Sequence, residues 1–253
     1  MDQRDYTSVD RDASYTPSNR RFQTQRDTRR MAEGAGILVP FLRGLAWMLA
    51  EEMTIQDKSG ILARVKGGEA IALELGCGPR KRHPDTVGVD ALDYPGVDLI
   101  GDVFDVLAQL PNASVSAVHA YHFVEHVSDL DRLLSELARV MAPGAALDIE
   151  VPHFANPYFY SDPTHQRFFG LYTFCYLARS SLFRRGVPMY GRTPAFALSD
   201  VRLDFNSPFP VRGMLRRTIG RVFNLTRWLQ EFHEENLCYL LPAYQLRYLL
   251  RRL

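Results

Sequence analysis

The stretch Ile71-Ala72-Leu73-Glu74-Leu75-Gly76-Cys77-Gly78-Pro79, followed by Val87-Gly88-Val89-Asp90, constrains this chain more than any other. An apolar run ends at an acid and enters a turn of small residues, and a second short apolar run ends at another acid. A parallel α/β sheet presents a nucleoside ligand in this way. The first strand delivers a tight turn that lets backbone approach the ligand, and the second delivers a carboxylate to the ribose hydroxyls. A dinucleotide fingerprint would place a third glycine where Lys81 stands and an acid about twenty residues on, whereas Asp90 follows Gly76 by fourteen residues. A phosphate-cradling Gly-Lys-Ser/Thr sequence does not follow the turn.

Around this pair the pattern alternates. Strands are expected at Ala70–Leu75, Thr86–Asp90, Val97–Gly101, Val115–Tyr121 and Ala146–Val151. A helix is expected at Leu130–Met141, with Leu133, Leu134, Leu137, Val140 and Met141 at helical spacing and Pro143-Gly144 closing it. Strands alternating with helices over short links predict a doubly wound, parallel α/β sheet. Beyond residue 152 the regularity weakens. Residues 153–170, rich in aromatics and proline, predict an ordered loop; 172–183 predict a helix; 197–205 alternate like a strand; 211–223 and 226–240 predict helices; and the tail at 244–250 predicts a last strand.

The bulk numbers exclude several classes. A chain of 253 residues with 46% apolar content has ample material for one large domain. A formal net charge of +1 provides no global attraction to nucleic acid or acidic lipid. Three scattered cysteines argue against a disulfide framework and for a reducing, cytoplasmic setting. Residues 1–30 are polar, lack the apolar core of a secretory signal and predict a disordered tail. Residues 35–55, with Ile37, Leu38, Phe41, Leu42, Leu45, Trp47, Met48 and Leu49, predict a strongly apolar N-terminal helix. Such a helix can pack over the sheet or the cofactor mouth, form a dimer surface, or touch a membrane.

Taken together, the motifs resemble the class I S-adenosylmethionine-dependent methyltransferases, in a type-11-like form, over residues 69–177. Besides the first two strands, the resemblance includes Val97-Asp98-Leu99-Ile100-Gly101-Asp102-Val103, His122-Phe123-Val124-Glu125-His126-Val127 and Glu136-Leu137-Ala138-Arg139-Val140-Met141-Ala142-Pro143-Gly144. Asp162-Pro163-Thr164-His165-Gln166-Arg167-Phe168-Phe169 is similar to a signature of one bacterial branch often associated with surface-glycan gene products. Two positions depart from the pattern: Ala145 replaces a second glycine, and Gln166 stands where a basic residue is common.

The resemblance implies a Rossmann-like, seven-stranded, mostly parallel sheet with an N-terminal helix and a C-terminal helical insertion. It implies a single methyltransferase domain at 31–253, with 69–152 as the cofactor-binding half and 153–253 as the acceptor side. It also implies roles for particular residues. Glu74 and the backbone of Gly76, Cys77 and Gly78 would hold the methionine end of the cofactor, with Gly76 and Gly78 small because a Cβ would collide with it. Asp90, with Ala91 beside it, would accept from the ribose hydroxyls. Asp102 would accept from the adenine amino group beside the Val103 backbone, and Tyr121 and His122 would flank the sulfonium. Cys77 reads better as a small residue in a tight turn than as a nucleophile.

Methyl transfer to a hydroxyl requires alignment of the acceptor and removal of its proton, a task suited to histidine near neutral pH. His165 and His126 are the candidate bases, with His122 and His153 behind them. Asp162 and His165, with Asp129 or Glu125, could hold a divalent cation, but the spacing is common and no metal site is expected. The leading expectation is methylation of a sugar hydroxyl on a glycan or glycosylated metabolite. The alternatives are a small natural product methylated at oxygen, nitrogen or carbon, and a nucleic-acid-associated methyltransferase suggested by the arginines at 20–30 and 212–227. The Arg-rich stretch near 211–230 could also meet anionic lipid.

Overall fold

The structure, a computed structural model, describes residues 55–253. The tail expected at 1–30 lies outside these residues, as does all but the last residue of the helix expected at 35–55.

The apolar runs form the strands of one sheet. After the short strand β1 (Gln56–Asp57) and helix α1 (Ile61–Lys66) come β2 (Ile71–Leu75), β3 (Val87–Asp90) and β4 (Leu99–Ile100). Helix α2 (Val103–Gln109), β5 (Val115–Tyr121), α3 (Leu130–Val140) and β6 (Met141–Pro152) follow. The chain ends with β7 (Phe196–Asp204), α4 (Pro210–Phe223), α5 (Arg227–Asn236) and β8 (Gln245–Arg252). The spatial order is β1-β4-β3-β2-β5-β6-β8-β7. Strands β4, β3, β2, β5 and β6 run parallel; β8 lies antiparallel between β6 and β7. The chain leaves β2 toward β3 on one side and reaches β5 on the other, so the carboxyl ends of β2 and β5 flank the switch point where ligands bind in such sheets. The fold is α/β and Rossmann-like.

Among the described residues the sheet has eight strands rather than the expected seven. The additional strand is Gln56–Asp57, paired antiparallel to β4 at the edge. Two polar residues carry no alternation by which a strand could be read. The helix expected at 172–183 is replaced by a 3₁₀ turn at Thr173–Tyr176. Beyond that turn the Arg179 backbone bonds to Phe196 and Leu198, so strand pairing ends the coil. Pro143-Gly144 does not close α3, which ends at Val140; it forms an irregularity inside β6, where the register with β5 shifts.

The two sheet faces differ sharply. Leu73, Leu75, Val118, Leu147, Val151, Leu246 and Leu250 share one face and are fully buried. They form a continuous core with Leu107 of α2, Leu133 and Leu137 of α3, and Phe174. Each buried side chain of this size contributes about 1.5–3 kcal/mol. Register places Glu74, His119, Tyr121, Asp148, Glu150 and Arg247 together on the other face.

Helix α4 is unusual for a packed helix. It turns Gly213 and Gly220 inward, the latter against Phe205, and leaves Val211, Met214 and Leu215 exposed beside Arg212, Arg217 and Arg221. No helix among the described residues is long and apolar enough to cross a membrane.

Gly76 is required sterically. Its φ is +63°, and a Cβ there would stand 2.7 Å from the Phe123 ring. Gly76→Ala should therefore cost about 1–3 kcal/mol from the backbone conformation alone, with the Phe123 contact adding to it. Urea unfolding should show Phe123→Ala recovering part of the loss in the double variant; a purely additive pair would contradict this packing.

Candidate active site

Two carboxyl groups shape the loop that leaves β2. Glu74 is buried, and its two oxygens accept from the backbone N–H groups of Arg82 at 2.8 Å and His83 at 2.9 Å. Asp90, at the end of β3, accepts from the Gly78 N–H at 2.9 Å and from the Leu92 N–H at 3.0 Å. The loop 76–86 is thus held at both ends without a helix between β2 and β3. Within the protein, the demand for glycine at position 76 comes from the Phe123 ring. At Gly78, with φ +60°, the space a Cβ would take is open. Cys77 is buried in the turn; burial, with Asp90 and Glu74 nearby, raises its thiol pKa to about 11, so it stays protonated. Ala91 is exposed beside Asp90.

Asp102 caps α2 by accepting from the Phe104 N–H at 2.8 Å, which satisfies one of the free donors at the helix start. Val103 opens that helix and packs against the core. Asp90 and Asp102 stand at the carboxyl ends of neighbouring segments. A carboxylate oxygen accepts up to two hydrogen bonds, and the protein uses one on each Asp90 oxygen and one on Asp102 Oδ1. Acceptor capacity therefore remains on both, as a nucleoside requires.

Tyr121 and His122 close β5 differently. The Tyr121 hydroxyl lies 2.9 Å from Asp148 Oδ2, 2.9 Å from His83 Nε2 and 3.1 Å from His119 Nδ1, with the Arg82 guanidinium over its ring. Burial and the neighbouring Asp148 push the phenol pKa up. Burial also opposes ionisation of Asp148, but hydrogen bonds from Arg247, His119 and Tyr121 outweigh this and hold its carboxyl well below the usual range. His122 has φ +53°, a conformation uncommon outside glycine and frequent at functional sites. Its Nδ1 is 3.3 Å from Glu125 Oε1, and its Nε2 is 3.5 Å from Glu150 Oε1 and 3.0 Å from Gln245 Oε1. Burial opposes its charge, but the two flanking carboxyl groups prevail and raise its pKa to about 9.

The loop 153–169 docks on the segment that follows β5. The Gln166 N–H donates to the Glu125 carbonyl, and Arg167 donates to the carbonyls of Val127 and Ser128. This docking brings His126 and His165 to 4.9 Å between ring centroids. His165 Nδ1 lies 2.9 Å from the Phe159 carbonyl, which fixes the proton there and leaves Nε2 as the lone-pair nitrogen. His126 Nδ1 lies 2.9 Å from Thr164 Oγ1, whose hydroxyl donates to Asp162 at 2.6 Å, so His126 Nδ1 is also a donor and its Nε2 is open. Glu125 lies beside the two rings, fully buried, with no hydrogen-bond partner for either carboxyl oxygen. His153 is fully buried and tied to Glu234 of α5, so it is a scaffold residue.

A cavity of about 600 Å³ begins at Gln166, the residue after His165, and is lined by Phe168, Tyr172, Tyr176, Tyr190, Arg167 and Arg192 among others. A second, of about 690 Å³, lies behind it against Trp228 and Glu231.

Residues 73–149 match the family model described as a methyltransferase domain. This segment runs from β2 into β6 and contains the glycine turn, Asp90, Asp102 and Tyr121. Over this segment, less than a third of its length, the chain is similar to methyltransferase domains. No curated protein matches the chain. Among solved structures, an S-adenosylmethionine-dependent methyltransferase from Archaeoglobus fulgidus is 19% identical, with 82% of this chain and 99% of that chain covered and a TM-score of 0.44. Phosphoethanolamine N-methyltransferase 2 of Haemonchus contortus is 15% identical, with 76% and 51% covered and a TM-score of 0.42. Geranyl diphosphate C-methyltransferase of Streptomyces coelicolor is 12% identical, with 77% and 78% covered and a TM-score of 0.42.

The depressed Asp148 carboxyl carries a pH consequence. An acid whose folded pKa lies below its unfolded value stabilises the fold above the unfolded value, about 4, and loses that contribution as pH falls through the folded value. The stability difference between wild type and Asp148→Asn should be constant above about pH 5 and shrink toward acid, as read from urea midpoints. A difference independent of pH down to the acid transition would contradict the assignment.

Proposed function

We propose that this protein is an S-adenosylmethionine-dependent methyltransferase, that it methylates a hydroxyl, and that its acceptor is a sugar of a glycan or glycosylated metabolite. The observation that carries the reading is the pair of imidazoles with open Nε2 atoms, His126 and His165, the latter next in sequence to the Gln166–Gly170 wall of an aromatic- and arginine-lined cavity. Flat aromatic walls stack on the apolar faces of sugar rings, and arginines donate to their hydroxyls. A cavity of about 600 Å³ falls within the range of small-molecule sites.

The proposed division of labour follows from position. Asp90 accepts from the ribose hydroxyls with its remaining lone pairs, and Asp102 Oδ2 accepts from the adenine amino group. The open side of Gly78 lets the backbone approach the methionine end, while Glu74 acts indirectly by fixing the loop. His122, held between Glu125 and Glu150, keeps the end of β5 rigid beside the reacting centre. The bound cofactor supplies a methyl group on a positive sulfur, poised for in-line displacement. The acceptor oxygen would displace the sulfur in line, the C–S pair leaving with it, and His165 Nε2 would take the hydroxyl proton. Holding the two partners in line provides most of the acceleration, and proton removal adds about 10²–10⁴-fold.

A natural-product acceptor is the alternative, and labelled S-adenosylmethionine with panels of sugars and phenols separates the two. His165→Ala should lower kcat by about 10²-fold or more and leave the cofactor Kd from calorimetry unchanged. An unchanged kcat would reduce His165 to a loop anchor.

The exposed face of α4 supports a peripheral contact with anionic lipid, because Met214 and Leu215 can enter the interface while Arg212, Arg217 and Arg221 meet the headgroups. Co-sedimentation with phosphatidylserine vesicles should fall on Met214→Glu/Leu215→Glu substitution and at high salt. Equal pelleting of both proteins would refute the contact.

A further inference from the structure

The least explained group in the structure is Glu125. A carboxyl with no exposure and no hydrogen-bond partner on either oxygen is costly to bury, by several kcal/mol if ionised. The one cation beside it is His122, with Nδ1 at 3.3 Å. On another side are His126 and His165, and one oxygen of Glu125 and one nitrogen of each ring all lie within 4.8 Å of one another. We propose that Glu125, His126 and His165 form a binding site for a divalent first-row transition-metal ion such as zinc, manganese or cobalt.

Three features converge on a metal rather than on a simple polar cluster. The donor set, two imidazoles and one carboxylate, is the borderline set that such ions select over magnesium or calcium. Each imidazole is oriented as metal-binding histidines are, with its Nδ1 engaged by a protein oxygen and its Nε2 left free. For His165 that oxygen is the Phe159 carbonyl; for His126 it is Thr164 Oγ1, itself fixed by Asp162. Asp162 Oδ2 stands 3.6 Å from His165 Nε2, within reach as a fourth or outer ligand. Third, the one partner beside either carboxyl oxygen is the His122 ring, 3.3 Å from Oε1 and outside hydrogen-bond geometry, so acceptor capacity remains for an ion. In a bound site the ligand atoms sit roughly 3–3.5 Å apart around bonds of about 2.0–2.2 Å, so binding would draw the side chains together by about an ångström. The ligands come from the 3₁₀ turn at Val124–His126 and from the docked loop, so an ion would also pin that loop to the end of β5.

The inference rests on the reading of this cluster as the acceptor-activating end of the site, and it changes how activation occurs. With the ion bound, both Nε2 atoms are occupied. An acceptor hydroxyl in an open coordination position is acidified by the ion, and its proton leaves to water as the new O–C bond forms. The histidines are then ligands, and the ion performs the polarising work.

The test uses the full-length protein, free of a histidine tag and stripped with chelator, titrated with cobalt(II). The expected result is one equivalent bound with visible d–d absorption of a low-coordinate site, and displacement of cobalt by zinc. Glu125→Gln and His165→Ala should each weaken binding by at least about 100-fold, and Asp162→Asn by about 10- to 100-fold as an outer-shell change. His119→Ala, at a histidine outside the cluster, should leave binding unchanged. Thermal melts of the variants without cobalt report whether each is folded, and a cobalt-induced rise in Tm of the wild type provides a second readout. Absence of the spectrum and of the Tm rise at millimolar cobalt, or equal binding by wild type and Glu125→Gln, overturns the site. If cobalt fails to bind while His165→Ala still abolishes turnover, the metal site falls and the histidine base stands. If cobalt binds through Glu125 but no hydroxyl acceptor is methylated, the metal site stands and the acceptor reading falls.

Discussion

The structure depends on the capture of one loop by two acids. Glu74 and Asp90 end adjacent parallel strands and take the backbone N–H groups of Arg82, His83 and Gly78, so the segment between β2 and β3 is fixed without a helix. Hydrogen bonds to charged acceptors contribute about 1.5–3 kcal/mol each, enough to hold a turn whose glycine at position 76 has left-handed backbone. With the turn fixed, Phe123 can lie against Gly76, and the segment after β5 is placed beside the glycine turn. The glycine turn and the histidine cluster are therefore built on the same contact.

The asymmetry of the sheet provides the second layer of organisation. One face is wholly apolar and buries the core against α2 and α3. The other carries the Tyr121–Asp148–Arg247 and Arg82–Glu150–His122 networks across β5, β6 and β8. Parallel sheets are ordinarily apolar on both faces, and here the alternation along β5 and β6 is what places ionisable groups in register. These networks terminate at His122, which links the polar face to Glu125 and so to the cluster on the docked loop. Rigid strands thus position groups that a mobile loop alone would leave scattered.

Much of this was legible in the sequence where local pattern and tertiary demand agree. The apolar runs at 71–75, 87–90 and 115–121 can bury only as strands, and Leu130–Val140 carries a helical stripe that the core accepts unchanged. The region 172–183 reads as a helix because Leu171, Phe174, Cys175 and Ala178 are buried at helical spacing, yet only Thr173–Tyr176 coils, as a 3₁₀ turn. Strand pairing at Arg179 then took the backbone. At the site, the acids and glycines were visible as residue types, and His126 and His165 as candidates. The orphaned state of Glu125 was not visible. It follows from a loop forty residues downstream docking over it, and no short-range signal encodes the absence of a hydrogen bond. The ties from α5 to this loop, Glu234 to His153 and to the Leu171 N–H, were hidden for the same reason.

The central claim is that the turn held by Glu74 and Asp90 is where the adenosyl donor sits. A crystal structure of the complex with S-adenosylhomocysteine tests it most directly. The account predicts the ribose hydroxyls on Asp90, the adenine against Asp102 and Val103, and the amino-acid end along Gly76–Gly78, with the sulfur facing His122. Nucleoside density in the cavity beside Tyr172 and Arg192, with the glycine turn bare, would contradict it.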